Sequence, residues 1–196
     1  MPPPVLSFAR LGPLRSQDLE QQDPELFCHG LRVGRIAVRI GVEMEFPTER
    51  RLLLSRAGEL HDLGKLAVPA ALVRKRGPLT LSETAVLRRH PAIGAALLKE
   101  DQEPAELVEA VLYHHERWDG TGYPSGLQGS DIPLAARILT LADAFDAMIS
   151  SRPYCSPQAP LWAVEEILRN RERQFCPECV EAFLESEVPS WTEHAV

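Results

Sequence analysis

The feature that most constrains the fold of this chain is the stretch from His114 to Pro124, where two adjacent histidines precede two carboxylates and a turn rich in glycine. Imidazole and carboxylate groups side by side are typical of transition-metal sites. The glycines and the proline that follow end a helix and impose a defined turn. Tyr123 on this turn would offer an aromatic ring and a hydroxyl to a molecule bound over a metal. An ordinary helix end followed by a loop is the alternative, and this stretch alone does not decide between them.

Asp143 and the pair His61-Asp62 also favour the metal interpretation. Asp143 lies in the middle of an apolar helical pattern that begins at Pro133, and a carboxylate on such a face requires a metal or a buried partner. His61 and Asp62 follow an apolar run that ends at Leu60, where the same cost applies. Taken one at a time, these residues also fit buried polar groups that pair with another protein group.

The hydrophobic pattern predicts an all-α chain that folds as one domain, with about six to eight helices around a metal centre. A length of 196 residues fits a single domain. Asp23 and Pro24 form a helix start, with the aspartate as N-cap and the proline in the first turn. Thr80 or Ser82 opens a later helix in the same way. We expect an N-terminal arm over residues 1–22, the domain over 23–188 and a C-terminal tail over 189–196.

The composition argues against several classes of function. A net charge of −7 does not suit a protein that binds nucleic acid through a broad basic face. No run of about 20 apolar residues is present, and Met1–Pro4 has neither the basic nor the apolar region of a signal peptide. We therefore expect a cytoplasmic protein with no membrane span, no DNA partner and reduced cysteines, in which the pair Cys176 and Cys179 is incidental.

Five motifs in a fixed order resemble the HD-GYP family, a branch of the HD phosphohydrolases. The family takes its name from a His-Asp pair, here His61-Asp62, and from a Gly-Tyr-Pro triplet, here Gly122-Tyr123-Pro124. The resemblance extends from about Glu25 to Glu185, nearly the whole chain. Five of the six histidines fall in the matched motifs, and only His194 does not. The matching segments are His29–Val33, His61-Asp62, His90–Gly94, His114–Pro124 and Ala142–Ala147.

The resemblance implies a di- or trinuclear metal centre buried in the helical bundle. One ion would bind His29, His61, Asp62 and Asp143, and a second would bind Asp62, His90, His114 and His115. Asp62 would bridge the two ions, which a carboxylate can do and one imidazole nitrogen ordinarily cannot. The resemblance favours iron or manganese. Glu25, four residues before His29 on one helix face, would be the added ligand of a third ion, with Asp146 a weaker candidate.

The activity implied by the resemblance is hydrolysis of the bacterial second messenger cyclic di-GMP to the linear dinucleotide pGpG, to GMP, or to both. A hydroxide between the two metal ions would attack phosphorus. Lys65 would act with Asp62 at the catalytic centre and face a substrate phosphate, which Arg152 would also bind. The loop residues Gly122, Tyr123 and Pro124 would contact the nucleotide.

One departure from the family pattern concerns the grip on phosphate. Many members carry a second basic residue three positions after Arg152, where this chain has Cys155. Arg117 or Arg137 is a candidate to replace it. Two alternatives follow: a regulatory module that binds a cyclic dinucleotide or a diguanylate cyclase (GGDEF) domain and turns over slowly, and a phosphohydrolase of another nucleotide such as cyclic GMP–AMP. The intact set of ligands argues against the regulatory module.

Overall fold

The structure, a computed structural model, describes residues 16–150 and 158–190. These residues form helices joined by turns and loops, with an isolated bridge between Arg171 and Phe175 and no strand. The predicted all-α fold is therefore confirmed. The described residues form ten α-helices, more than the sequence predicts. The helices are α1 (Ser16–Gln22), α2 (Pro24–Glu43), α3 (Thr48–Leu60), α4 (Ala70–Val73), α5 (Leu81–Leu87), α6 (His90–Glu100), α7 (Ala105–Tyr113), α8 (Leu134–Ile149), α9 (Pro160–Arg169) and α10 (Pro177–Glu185).

Two helix starts follow from local signals in the sequence. Asp23 caps α2 by accepting a hydrogen bond from the backbone N–H of Leu26 (3.1 Å), and Pro24 lies in the first turn. Thr80 caps α5 in a capping box with Glu83, in which each side chain accepts from the other residue's backbone N–H. These caps satisfy N–H groups that have no partner within the helix. The predicted starts of both helices are confirmed.

Three boundaries differ from those that the sequence pattern predicts, namely a helix from about Pro47 to Leu63, a later helix that ends near His90-Pro91, and a loose N-terminal arm. His90 begins α6, with Pro91 in its first turn, rather than ending α5, because proline is tolerated at a helix start but breaks a helix interior. Helix α3 ends at Leu60, so the His-Asp pair lies just beyond its last turn. Part of the expected N-terminal arm forms α1, because its apolar side chain Leu19, 1% exposed, packs into the core.

Helices α2 and α3 pack at very short range. A Cβ atom added to Gly58 would lie 2.4 Å from the Cα atom of Gly34, and one added to Gly34 would lie 2.6 Å from the carbonyl oxygen of Ser55. Only glycine permits this separation of two backbones. Helix α8 also packs against α2. The close packing brings His29 on α2 to the C-terminal end of α3 and to the middle of α8.

Gly64 sets the distance between the turn after α3 and the start of α6. A Cβ atom added to Gly64 would lie 2.0 Å from the carbonyl oxygen of His90 and 2.7 Å from the backbone nitrogen of Gly94. Both are backbone atoms, so no side-chain rotation relieves the overlap. The contact holds Asp62, two residues before this glycine, next to His90.

We expect Gly64→Ala to lower the free energy of unfolding by about 3 kcal/mol or more, the upper part of the range for overpacking, because the backbones of the turn and of α6 must separate. The separation also moves His90, so metal affinity should fall. Gly77→Ala is the matched control, because no atom lies within 4 Å of a Cβ atom added there. Urea unfolding of the two variants is the measurement. Equal stabilities would show that the turn and α6 separate without cost.

Three further expectations concern the membrane, the thiols and the phosphate grip. Among the described residues, no helix is long and apolar enough to cross a membrane. In the same part of the chain Cys28, Cys176 and Cys179 are free thiols. Arg152 and Cys155 lie outside the described residues, as do residues 191–196 of the expected tail, so what the sequence predicts for them stays a prediction.

Candidate metal centre

Seven residues that the sequence marks as metal ligands converge inside the helical bundle. The nitrogen and oxygen atoms that they offer form two groups, and within each group these atoms lie within 4.8 Å of one another. The residues belong to α2, the end of α3, the start of α6, the end of α7 and α8. One group comprises His29, His61 and Asp143, and the other comprises Asp62, His90, His114 and His115.

Asp62 lies between the two groups, and its two carboxylate oxygens face different histidines. Oδ2 is 3.3 Å from Nε2 of His61 and 3.8 Å from Nε2 of His29. Oδ1 is 3.2 Å from Nε2 of His90 and 4.0 Å from Nε2 of His114. One carboxylate therefore faces both groups at once, which is the arrangement that a bridging ligand requires.

Backbone carbonyls fix the orientation of three histidine rings. Each Nδ1 donates to the carbonyl three residues earlier, at 2.7 Å for His61, 2.8 Å for His90 and 2.7 Å for His114. A carbonyl oxygen only accepts, so Nδ1 carries a proton and the neutral ring keeps a lone pair on Nε2. The Nε2 atoms lie on the side of Asp62. A hydrogen bond from the other ring nitrogen is typical of histidines that bind metals.

His29 obtains the same orientation from a side chain. Its Nδ1 lies 2.7 Å from Oδ2 of Asp146, a residue with no exposed surface. Arg32 donates to both oxygens of Asp146 (2.7 and 3.1 Å), and the Ser150 hydroxyl donates to Oδ1 (3.0 Å). The sequence suggests Asp146 as a weaker candidate for a third ion, whereas in the structure protein groups contact both of its oxygens. We therefore assign Asp146 the role of a positioning residue for His29.

The charges of the centre suit a bound cation. Burial lowers the pKa of His29, but the carboxylates of Asp143 and Asp146 outweigh burial and raise it from 6.5 to about 9. Burial raises the pKa of Asp62, but neighbouring cationic groups, Lys65 first, hold it well below its usual range. At neutral pH this carboxylate is ionised, which is the state that metal binding requires, and a cation would displace the proton from His29.

Two buried atoms of the centre form no hydrogen bond within the described part of the chain, namely Nε2 of His61 and Oδ1 of Asp62. A buried polar atom without a partner costs about 1–3 kcal/mol. A coordinated cation would give both atoms a partner. Imidazole nitrogens together with carboxylate oxygens suit iron, manganese or zinc. The residues present therefore fit a metal centre.

Lys65 and Glu25 differ in their relation to the centre. Lys65 is partly buried, and its ammonium group donates to Oδ2 of Asp62. It therefore lies at the edge of the centre. Glu25 is exposed and belongs to neither group of donors. The geometry gives no support to Glu25 as the ligand of a third ion, and that role stays a prediction.

The glycine-rich loop after α7 folds back against the centre. Glu116, 1% exposed, accepts hydrogen bonds from the backbone N–H groups of Ser125 (2.7 Å) and Gly126 (3.0 Å). Tyr123 donates its backbone N–H to the carbonyl oxygen of His115 (3.2 Å), and the two rings stack with centroids 4.8 Å apart. The loop thereby holds the ring of His115, whose pKa is lowered by burial to about 4.

A pocket of about 300 Å³ opens beside the centre. Its walls include the candidate ligands His114, His115 and Asp143. Two of the loop residues that the sequence predicts to contact substrate, Gly122 and Tyr123, also line the pocket, and Pro124 does not. The pocket therefore gives a molecule access to one side of the candidate metal centre.

The two arginines suggested as replacements for the missing basic residue are both held by protein groups. Arg117 donates to the carboxylate of Asp119 (3.2 Å), the hydroxyl of Thr121 (3.0 Å) and the side-chain oxygen of Gln174 (2.8 Å). Arg137 donates to two backbone carbonyls, at 2.7 and 3.5 Å. Both guanidinium groups stabilise the loop, so the structure does not support either of them as a phosphate-binding residue.

Sequence reasoning missed the positioning role of Asp146 and the bracing role of Gln174. A signal existed for the first. Asp146 follows Asp143 by three residues on α8, and Arg32 follows His29 by three on α2, so each pair shares one helix face. A second carboxylate on the face of a predicted ligand indicates a buried partner. No local signal marks Gln174, because its contact depends on how the segment before α10 meets the loop.

Known proteins resemble this chain in sequence and in fold. The HD domain family model matches residues 13–178. A cyclic di-GMP phosphodiesterase of Thermotoga maritima is 40% identical over 174 residues, which cover 86% of this chain and 46% of that protein. The 3'3'-cGAMP-specific phosphodiesterase 2 of Vibrio cholerae is 34% identical over 169 residues, covering 85% and 32%. Among solved structures, Bd1817, a HDG"Y"P protein from Bdellovibrio bacteriovorus, superposes with a TM-score of 0.68 at 19% identity, covering 87% of this chain and 57% of that one.

The share of each protein that is matched determines whether a match shows the family or also the activity. The chain spans less than half the length of the two curated relatives, so their activities describe longer proteins. The family model covers most of the chain, and HD domains are metal-dependent. The chain therefore belongs to the HD domain family, and its motifs place it in the HD-GYP branch.

Proposed function

We propose that this chain is a metal-dependent phosphodiesterase that hydrolyses a cyclic dinucleotide, with cyclic di-GMP as the first candidate substrate. The observation that carries the proposal is the position of Asp62, which turns one oxygen towards each of two groups of donors. Relatives named as cyclic di-GMP phosphodiesterases support the choice of substrate. The products would be pGpG, GMP or both.

The proposal includes two divalent ions, with iron or manganese favoured. One ion would bind His29, His61, Asp62 and Asp143, and the other would bind Asp62, His90, His114 and His115. When bound, the ions would supply Lewis-acid chemistry, in which they lower the pKa of a water and offset charge that develops at phosphorus. A third ion held with the help of Glu25 is the weakest part of the proposal, because that side chain is exposed.

Other residues of the site would bind and orient the substrate. Lys65, whose ammonium donates to the central carboxylate, would act on a substrate phosphate as a point charge. Burial raises the pKa of Tyr123 well above its usual range, so its hydroxyl stays protonated and is able to donate to a nucleotide. Gly122 and Pro124 would shape the loop at the pocket, and Arg152 would bind a phosphate.

A second candidate substrate is cyclic GMP–AMP. Relatives named as 3'3'-cGAMP-specific phosphodiesterases favour it. The two molecules share a ring closed by two phosphodiesters and differ in one base, so a centre that acts on phosphorus does not distinguish them. Binding of a diguanylate cyclase domain and a cytoplasmic location stay predictions from the sequence.

A turnover assay on the purified chain tests the proposed function. The protein is prepared anaerobically with iron or manganese, given cyclic di-GMP, cyclic GMP–AMP or cyclic di-AMP, and the products are separated by chromatography. We expect hydrolysis that follows metal content and stops after chelation. Tight binding of a cyclic dinucleotide without turnover, in fully metal-loaded protein, would contradict the enzyme and support the regulatory module. Faster turnover of cyclic GMP–AMP than of cyclic di-GMP would select the second substrate.

A further inference from the structure

Arg88, at the C-terminal end of α5, lines the pocket beside the metal centre and is exposed. Its guanidinium carbon lies 4.9 Å from the centroid of the Tyr123 ring. Across residues 16–150 and 158–190, that guanidinium forms no hydrogen bond and no ion pair. Arg117 also lines the pocket, but its N–H groups bind Asp119, Thr121 and Gln174. Of these two arginines, Arg88 alone retains its donors.

The contact with Tyr123 prepares Arg88 for an anionic ligand. A cation–π contact attracts the guanidinium to the ring without engaging an oxygen or nitrogen acceptor. The five N–H donors of Arg88 therefore have no acceptor among the described residues and are available to a ligand. The contact with the ring also restricts the long side chain before any ligand binds, which reduces the entropy lost on binding.

We propose that Arg88 is a substrate-binding residue that donates to a phosphate of the cyclic dinucleotide, an inference that rests on the proposed function of the centre. The planar fork of N–H groups matches two oxygens of one phosphate. Arg88 shares the pocket with His114, His115 and Asp143, and a phosphate must approach these residues for hydrolysis to occur. Arg88 would thus replace the second basic residue that many family members carry, a role for which the sequence suggests Arg117 or Arg137.

Arg88→Ala tests the assignment, with Arg89→Ala as the matched control. Arg89 is the next residue and is also exposed, but it does not line the pocket. Each variant loses one positive charge, so the two differ only in whether the lost arginine faces the pocket. Binding of a hydrolysis-resistant phosphorothioate analogue of cyclic di-GMP to metal-loaded protein is measured by titration calorimetry. We expect Arg88→Ala to weaken binding at least about 10- to 100-fold, the effect that even one of its two hydrogen bonds to a charged phosphate would have. Arg89→Ala should bind within about threefold of wild type, because an exposed charge that does not line the pocket is screened by solvent and contributes little.

Steady-state kinetics and a second nucleotide test whether Arg88 acts by binding substrate and whether it contacts phosphate rather than a base. Arg88→Ala should raise the KM for cyclic di-GMP far more than it lowers kcat, the pattern of uniform binding, with metal content unchanged. Arg88→Ala should weaken binding of the phosphorothioate analogue of cyclic di-AMP by the same factor, because a contact with phosphate does not distinguish the bases. A loss confined to guanine nucleotides would overturn the phosphate assignment, and equal binding by Arg88→Ala and Arg89→Ala would overturn any role of Arg88. Absence of binding and turnover in the wild type would instead reject the proposed function.

Discussion

Asp62→Ala is expected to reduce turnover of cyclic di-GMP at least about a thousandfold and to lower the metal content of the purified protein. Asp62 is the ligand of the proposed set that faces both groups of donors. Lewis-acid stabilisation by a metal ion supplies several kcal/mol, and every ~1.4 kcal/mol changes a rate tenfold. Loss of the shared ligand should therefore lower kcat about a thousandfold or more. Measurements of kcat and of metal per chain by mass spectrometry check both effects.

The control for this change is Asp101→Ala at the C-terminal end of α6, which removes a carboxylate that belongs to neither group. It should keep the metal content and turnover of the wild type. Circular dichroism must show that Asp62→Ala is folded before its kinetics are interpreted. Turnover at the wild-type rate in a folded Asp62→Ala protein would exclude a mechanism that depends on two ions sharing this residue.

Asp146→Ala is expected to lower the free energy of unfolding by about 3 kcal/mol, because it breaks a largely buried ion pair. Arg32 loses two hydrogen bonds at 2.7 and 3.1 Å, and its side chain is 23% exposed, which places the cost at the low end for a buried pair. The same change removes the acceptor for Nδ1 of His29. Loss of such a partner typically weakens metal binding about 10- to 100-fold. Urea unfolding of the metal-free protein and a competitive metal titration measure the two effects separately.

A double variant separates the structural role of Asp146 from its positioning role. Replacement of a buried ion pair by apolar side chains of similar size is often neutral for stability, so Arg32→Leu combined with Asp146→Leu should recover much of the lost free energy of unfolding. Metal affinity should stay low, because His29 still lacks its acceptor. Asp131→Ala, at an exposed position, is the control for loss of one carboxylate. Recovery of stability and metal affinity together would show that Asp146 does not position His29.

Three of the candidate ligands were predictable because the cost of burying them is local, whereas His29 and His90 were identified only through the resemblance to the HD-GYP family. Asp143 in an apolar helical pattern and the His-Asp pair after an apolar run each signal a buried polar group, whatever the fold around them. The caps at Asp23 and Thr80 were predictable for a related reason, since each cap bonds to a backbone group only three residues away. The short helix α1 was not predicted, because a helix of this length is stabilised by packing, here of Leu19 into the core, rather than by its own sequence.

The sequence by itself determined the all-α class and the glycine-rich loop after His114 and His115, and its resemblance to the HD-GYP family marked the seven candidate ligands. Only the tertiary structure decided which partners orient these groups. Asp146 and His29 are 117 positions apart, and Arg117 and Gln174 are 57 apart, so no local pattern pairs them. The structure also decided that Asp62 faces both groups and that Arg88 reaches the pocket. The physical reason is that periodicity and capping act over a few residues, whereas a hydrogen bond or a stacked ring between distant residues depends on how whole helices pack.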